Sequence, residues 1–148
     1  CTISHIKAVK SIVSSVGLIA EDDAQFLRML PRAELMTPSF DWDVLMLAYN
    51  GPYNPKDCIG QMWCRTNNVQ TRSMYAVRKS YIPELLTVFE KSYNGLLNGG
   101  PYTKFAGDQV WKTLQRNSTH KWYVAVPRVA RQRPGYSSIT HSFENYNV

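Results

Sequence analysis

A short apolar run that ends abruptly in acid constrains this chain more than any other feature. Val16-Gly17-Leu18-Ile19-Ala20 is uniformly apolar and leads directly into Glu21-Asp22-Asp23. Such a run fits a strand buried on both faces, as an open α/β sheet provides. In those sheets ligands bind outside the carboxyl ends of the strands. Side chains alternate along an extended backbone, so Glu21 and Asp23 are expected on one side and Asp22 on the other. An acid-x-acid pair suits a hard divalent cation, Mn²⁺ or Mg²⁺, which takes carboxylate and phosphate oxygens. A cation held there would bridge to a nucleotide diphosphate and neutralise the charge that builds as it departs. The competing expectation is a solvated turn, with Asp22 or Asp23 capping the next helix.

The rest of the chain alternates helical and strand patterns. Ile3, Ile6, Val9, Ile12 and Val13 lie at helical spacing over residues 3–13, which predicts an amphipathic helix. Val44-Leu45-Met46-Leu47 reads as a second apolar strand, followed by a turn-rich stretch at 50–55. Residues 59–65 and 73–77 read as further strands, and residues 81–97 as a helix with Pro83 in its first turn. A shorter helix is predicted over 108–116 and a strand over 122–126, and from Pro127 on the tail is polar and rich in turn formers. The order predicts an α/β layered fold in a single domain.

Composition narrows the function classes. Hydrophobic residues make up 44% of the 148 and charged residues 19%, which excludes a disordered chain and supports a soluble globular domain. No apolar run approaches the roughly 20 residues that span a bilayer. No secretory leader is recognisable, so the Asn117-Ser118-Thr119 sequon is discounted. The net charge of +6 makes anionic partners plausible. No block of like charges resembles a nucleic-acid-binding tail. Three cysteines, Cys1, Cys58 and Cys64, without C-x-x-C spacing support neither a disulfide framework nor a zinc site. The default expectation is a reducing, cytoplasmic compartment.

The stretch Ser4-His5 … Gly17-Leu18-Ile19-Ala20-Glu21-Asp22-Asp23-Ala24-Gln25-Phe26 resembles the lipooligosaccharide and procollagen galactosyltransferase family. Three further blocks are similar in the same order. They are Phe40 to Leu47, then Thr71 to Val77, then Gly107 to Gln115 followed by Lys121-Trp122-Tyr123 and Gln132 to Ser137. The last set looks most like the short versions found in large DNA viruses, which would place the chain in host cytoplasm. The resemblance implies a GT-A-like (Rossmann-like) mixed sheet flanked by helices. It also implies a metal, a UDP-sugar donor, and inverting transfer of a galactose or glucose to a hydroxyl on a glycan or protein acceptor. Two departures accompany it. The family's first strand region, which precedes the Ser-His pair, is not in this chain, so an N-terminally truncated domain is expected. The family pattern also leads us to expect an Asp after Tyr136-Ser137, where Ser138-Ile139 stand instead.

Carried onto these residues, the resemblance makes Asp23 the metal ligand, with Glu21 assisting through the metal or the ribose and Asp22 beside the donor. Inverting transfer needs a general base, and Asp108 is the candidate, although Asp before a helix is also a preferred N-cap. Arg131 and Arg133 are candidates to clamp the diphosphate, with the tail from about residue 127 as a lid over the donor. His5, near the edge of the first helix's apolar face, is a weaker candidate for the donor site. Asp41-Trp42-Asp43 is also acid-x-acid, but it precedes its strand and is read as structural. Tyr75 and Trp111 are read as core before sugar platforms. Two other classes stay open: a degenerate relative that binds a sugar or partner without turnover, and a basic domain stacking single-stranded nucleic acid on its aromatic residues.

Overall fold

The computed structural model describes residues 2–29, 38–137 and 141–145. Cys1 and the Ser138-Ile139 departure lie outside them. Helix α1 (Thr2–Lys10) leads into β1 (Val16–Ala20), with β2 (Ala24–Phe26) just past the acids. Strand β3 (Val44–Met46), the short pair β4 (Cys58–Ile59) and β5 (Trp63–Arg65), and β6 (Met74–Arg78) follow. A 3₁₀ turn (Lys79–Tyr81) opens α2 (Ile82–Leu97). Three single-turn helices come next: α3 (Tyr102–Phe105), α4 (Gly107–Val110) and α5 (Lys112–Gln115). The chain closes with β7 (Trp122–Ala125), β8 (Ala130–Gln132), β9 (Gly135–Ser137) and β10 (Ser142–Glu144).

The main sheet is six-stranded and mixed, in the order β1-β6-β3-β7-β5-β4. Strand β6 runs antiparallel to both β1 and β3, and β3 runs parallel to β7. The carboxyl ends of β1, β3 and β7 therefore share one edge with the amino end of β6. The period-two alternation of the strands sorts their side chains into two cores. Val44, Met46, Tyr75, Val77, Trp122 and Val124 pack under α1 and α2 with Val9, Phe89 and Trp111. Leu45, Met74, Ala76, Tyr123 and Ala125 face the other way, onto Trp42, Trp63 and Val129. Tyr75 and Trp111 are fully buried, as their core reading required. Trp42 is buried under the guanidinium of Arg78 (4.9 Å to the ring centroid). Its neighbour Asp43 accepts the Lys121 backbone N–H at 2.7 Å, while Asp41 pairs with the Lys121 ammonium, so this segment is structural.

Four expectations are corrected. Strand β1 is not buried on both faces: Leu18 is 44% exposed and Ala20 is exposed. It lies at the sheet's edge, where Val16 still joins the second core and Leu18 and Ala20 do not. Residues 59–65 form no single strand. They make a tight hairpin in which Cys58 pairs directly opposite Cys64, and the two form a disulfide. The cysteines therefore give no ground for a reducing compartment. The helix expected over 108–116 is divided at Trp111, whose indole turns into the core and donates to Val69 O at 3.3 Å. In the tail, β8 pairs with β2, and β9 with β10. No helix among the described residues is long and apolar enough to cross a membrane.

The segment before β6 has no strand partner at Val69, and a side chain supplies one. Buried Gln115 accepts the Val69 N–H at 2.8 Å and donates to Val69 O at 2.9 Å, copying a peptide ladder. Gln115→Leu leaves that buried N–H unpaired, which costs about 1–3 kcal/mol. The midpoint of urea unfolding should fall accordingly with the slope unchanged. An unchanged midpoint would show that Val69 finds another partner.

Candidate functional site

At the shared edge of β1, β3, β6 and β7 the surface opens into a cleft of about 1360 Å³. Its walls include His5 from α1, Glu21-Asp22-Asp23 past β1, Gln70-Thr71-Arg72 before β6, Gly107 and Asp108 on α4, and Arg133 after β8. The structure thus brings together residues far apart in the chain, His5 and Arg133 being 128 positions apart.

The three acids do not alternate. β1 ends at Ala20, and residues 21–24 form a turn closed by Ala24 N–H donating to Glu21 O at 3.1 Å. Glu21 turns toward α1. Its Oε1 accepts from His5 Nε2 at 2.9 Å and its Oε2 from the Ser73 hydroxyl at 3.3 Å. Asp22 is exposed, and its carbonyl accepts from Arg133 at 3.3 Å. Asp23 faces β8: Gln132 Nε2 donates to its Oδ2 at 2.8 Å, and its carbonyl accepts the Arg133 backbone N–H at 2.8 Å. The expectation of a Glu21/Asp23 pair on one face is therefore replaced by a division of tasks. Neither Asp caps a helix, because the chain continues as β2.

His5 is 4% exposed and stands in a buried chain of hydrogen bonds. Burial lowers its pKa, outweighing the raising effect of the Glu21 hydrogen bond, so the imidazole is neutral at pH 7. For Glu21, burial pushes the pKa up, but the His5 hydrogen bond and nearby Arg72 outweigh it, and the carboxyl lies below its ordinary value. An ionised carboxylate only accepts, so His5 Nε2 carries the proton. Nδ1 then accepts from the Tyr75 hydroxyl at 3.1 Å, whose own pKa is raised by burial.

Among the predicted residues, Arg133 lines the cleft while Arg131 does not. The Arg131 Nε donates to Gln25 across the β2–β8 ladder at 3.0 Å. Asp108 is not an N-cap. It sits inside α4, whose cap position is Ala106, and its Oδ2 accepts the Thr71 backbone N–H at 3.3 Å. Two residues escaped the sequence reading. Thr71 adopts φ 78°, a left-handed conformation costly for a β-branched residue. Arg72, 8% exposed, lines the cleft. Neither carries a local pattern, since only the turn into β6 puts them there.

A metal's fit rests on Asp23. Its Oδ1 is buried without a hydrogen-bond partner among the described residues, which a cation would satisfy. Among the described residues no group of three or more His, Cys, Asp or Glu is placed to hold a metal. Mg²⁺ or Mn²⁺ held by one or two carboxylates plus substrate phosphates would need no such group. No protein-family model matches the chain, and no curated protein matches it.

The His5–Glu21 pair makes stability depend on pH with a definite sign. Because folding lowers the His5 pKa below 6.5, the unfolded chain binds the extra proton as pH drops through that value. Glu21, lowered from 4.5, acts in the same sense at more acid pH. Folding stability is thus greatest above about pH 6.5 and declines toward pH 4. Urea midpoints across pH 4–8 should show this slope, and His5→Gln should flatten its upper part. An equal slope in both proteins would assign it to other groups.

Proposed function

We propose that the chain carries the site of a metal-dependent glycosyltransferase that moves a hexose from a nucleotide-sugar to an acceptor hydroxyl with inversion. The observation that carries this reading is the cleft itself. Its lining includes the acids after β1, with the Asp23 Oδ1 that has no hydrogen-bond partner among the described residues, together with Asp108, Arg72 and Arg133, at the sheet edge where α/β folds bind ligands. The strand order, with antiparallel β6 between β1 and β3, supports a GT-A-like arrangement. The motif resemblance gives the reading its substrate class: a UDP-sugar, with galactose or glucose transferred to a glycan or a hydroxyl-bearing protein.

In this reading Asp23 holds Mn²⁺ or Mg²⁺, with exposed Asp22 beside it, and Arg133 faces the donor. When bound, the metal neutralises charge on the departing diphosphate. Glu21 keeps the acid turn in place through His5 and Ser73 rather than binding the ion. Asp108 takes the proton from the acceptor hydroxyl as its oxygen bonds to the anomeric carbon and the bond to the diphosphate breaks. The electron pair of that bond leaves with the diphosphate. A second reading, a sugar- or partner-binding domain without turnover, is favoured by one observation. With Glu21 engaged by His5 and Ser73, only part of the acidic triplet is directed at a ligand.

Calorimetric titration of UDP-galactose and UDP-glucose should show binding that requires Mn²⁺ and is abolished by chelator. Asp23→Ala should weaken it at least about tenfold, the loss of one metal-ligating carboxylate. Asp108→Asn should retain donor binding and lose transfer by about 10²-fold or more. Binding that ignores both metal and Asp23 would sink the transferase reading. Binding that needs both, with transfer unaffected by Asp108→Asn, would remove Asp108 as the base.

A further inference from the structure

We infer that Arg72 is the anion-reading group of this cleft, a guanidinium fork held ready for the oxygens of a diphosphate, and that Gly107 is glycine to make room for it. The inference builds on the proposed site but needs neither the sugar nor the transfer.

Placement is the first ground. Arg72 lines the cleft together with Glu21, Gly107 and Asp108, whereas Arg131 does not line it and Arg133 is exposed. Burying a guanidinium is costly unless its surroundings are arranged for it. Here they are. The guanidinium carbon lies 5.5 Å from the centroid of the Phe89 ring, a cation–π contact.

Gly107 is the second ground. A Cβ at that position would fall 2.0 Å from Arg72 Nη1 and 2.4 Å from Cζ. Gly107 has an ordinary helical backbone at the start of α4, where glycine is unfavourable relative to alanine. Space for the guanidinium is therefore what a side chain here would violate.

Backbone strain is the third. Thr71 holds φ 78°, its N–H accepted by Asp108 at 3.3 Å. A left-handed β-branched residue is strained and persists only where the surroundings impose it. The residue so strained is the one that delivers Arg72 to the cleft, and the group that fastens it is the candidate base. A planar fork with five donors fits two phosphate oxygens at once, which an ammonium does not. With Asp22, Asp23 and Asp108 around it, the cleft takes such an anion as its Mg²⁺ or Mn²⁺ complex.

The test titrates inorganic pyrophosphate with Mg²⁺, and separately UDP with Mn²⁺, into the full chain. Arg72→Lys, which keeps the charge and loses the fork, should weaken pyrophosphate binding by about tenfold or more. Gly107→Ala should do the same by displacing the guanidinium, and Lys10→Ala, on the outer face of α1, should change nothing. In the unsubstituted protein the Arg72 Nε–H resonance should move as pyrophosphate is added, a readout that does not depend on any variant folding. Absence of pyrophosphate binding, or binding that leaves that resonance and the Arg72→Lys affinity unchanged, overturns the inference. Arg72-dependent pyrophosphate binding without binding of any UDP-sugar upholds it while removing the nucleotide-sugar reading. UDP-sugar binding that needs Asp23 and ignores Arg72→Lys does the reverse.

Discussion

Everything at the site depends on one strand running against its neighbours. Because β6 lies antiparallel between β1 and β3, its amino end meets the carboxyl ends of β1, β3 and β7. In a fully parallel sheet that edge would receive only the loops that leave strands. Here it also receives a loop that enters one, and with it Thr71, Arg72 and Ser73. The ladder itself then sets the contacts: Ala20 opposite Met74 leaves Glu21 beside Ser73, with the Glu21 N–H donating to Ser73 O at 2.8 Å.

The consequence for the acidic triplet is that its members answer to different layers. Glu21 belongs to the interior, where neutral His5, the Tyr75 hydroxyl and Ser73 tie α1, β1 and β6 together. Asp23 belongs to the tail, held by Gln132 and the Arg133 backbone. Asp22 belongs to solvent. The half-buried Glu21 carboxylate is hydrogen-bonded at each oxygen, whereas Asp23 has one satisfied oxygen and one without a hydrogen-bond partner among the described residues.

Much of this was legible along the chain, for reasons that differ by element. β1 could be bounded to the residue because an uninterrupted apolar run meets three acids, and α2 because its apolar spacing runs for four turns from a proline to a Gly-Gly stop. The alternation of the acids failed because the backbone turns at Glu21, and period two applies only to extended chain. The exposure of Leu18 was illegible because an apolar strand at a sheet edge reads the same as one inside it. The Cys58–Cys64 bond is not legible because it depends on a hairpin turning within the five residues between the two cysteines, where the pattern reads as one strand. Arg131 and Arg133 looked equivalent in sequence, yet β8 separates them, one onto the ladder and one to the cleft. Arg72 falls within the similar block Thr71 to Val77, but no feature of that block marks a role for it: its place comes from a left-handed Thr71 and a glycine 35 positions away.

The segment from Val69 to Arg72 is fastened by Gln115 and Trp111 at one end and by the β6 ladder at the other, with the strained Thr71 between. That places a conflict between robustness and performance at a single residue. Glycine or asparagine at 71 would relax the backbone, and a screen for heat resistance would favour the change. The same relaxation would loosen the angle at which the guanidinium enters the cleft. Variants selected only for durability are therefore expected to accumulate where precision of the pocket has most to lose.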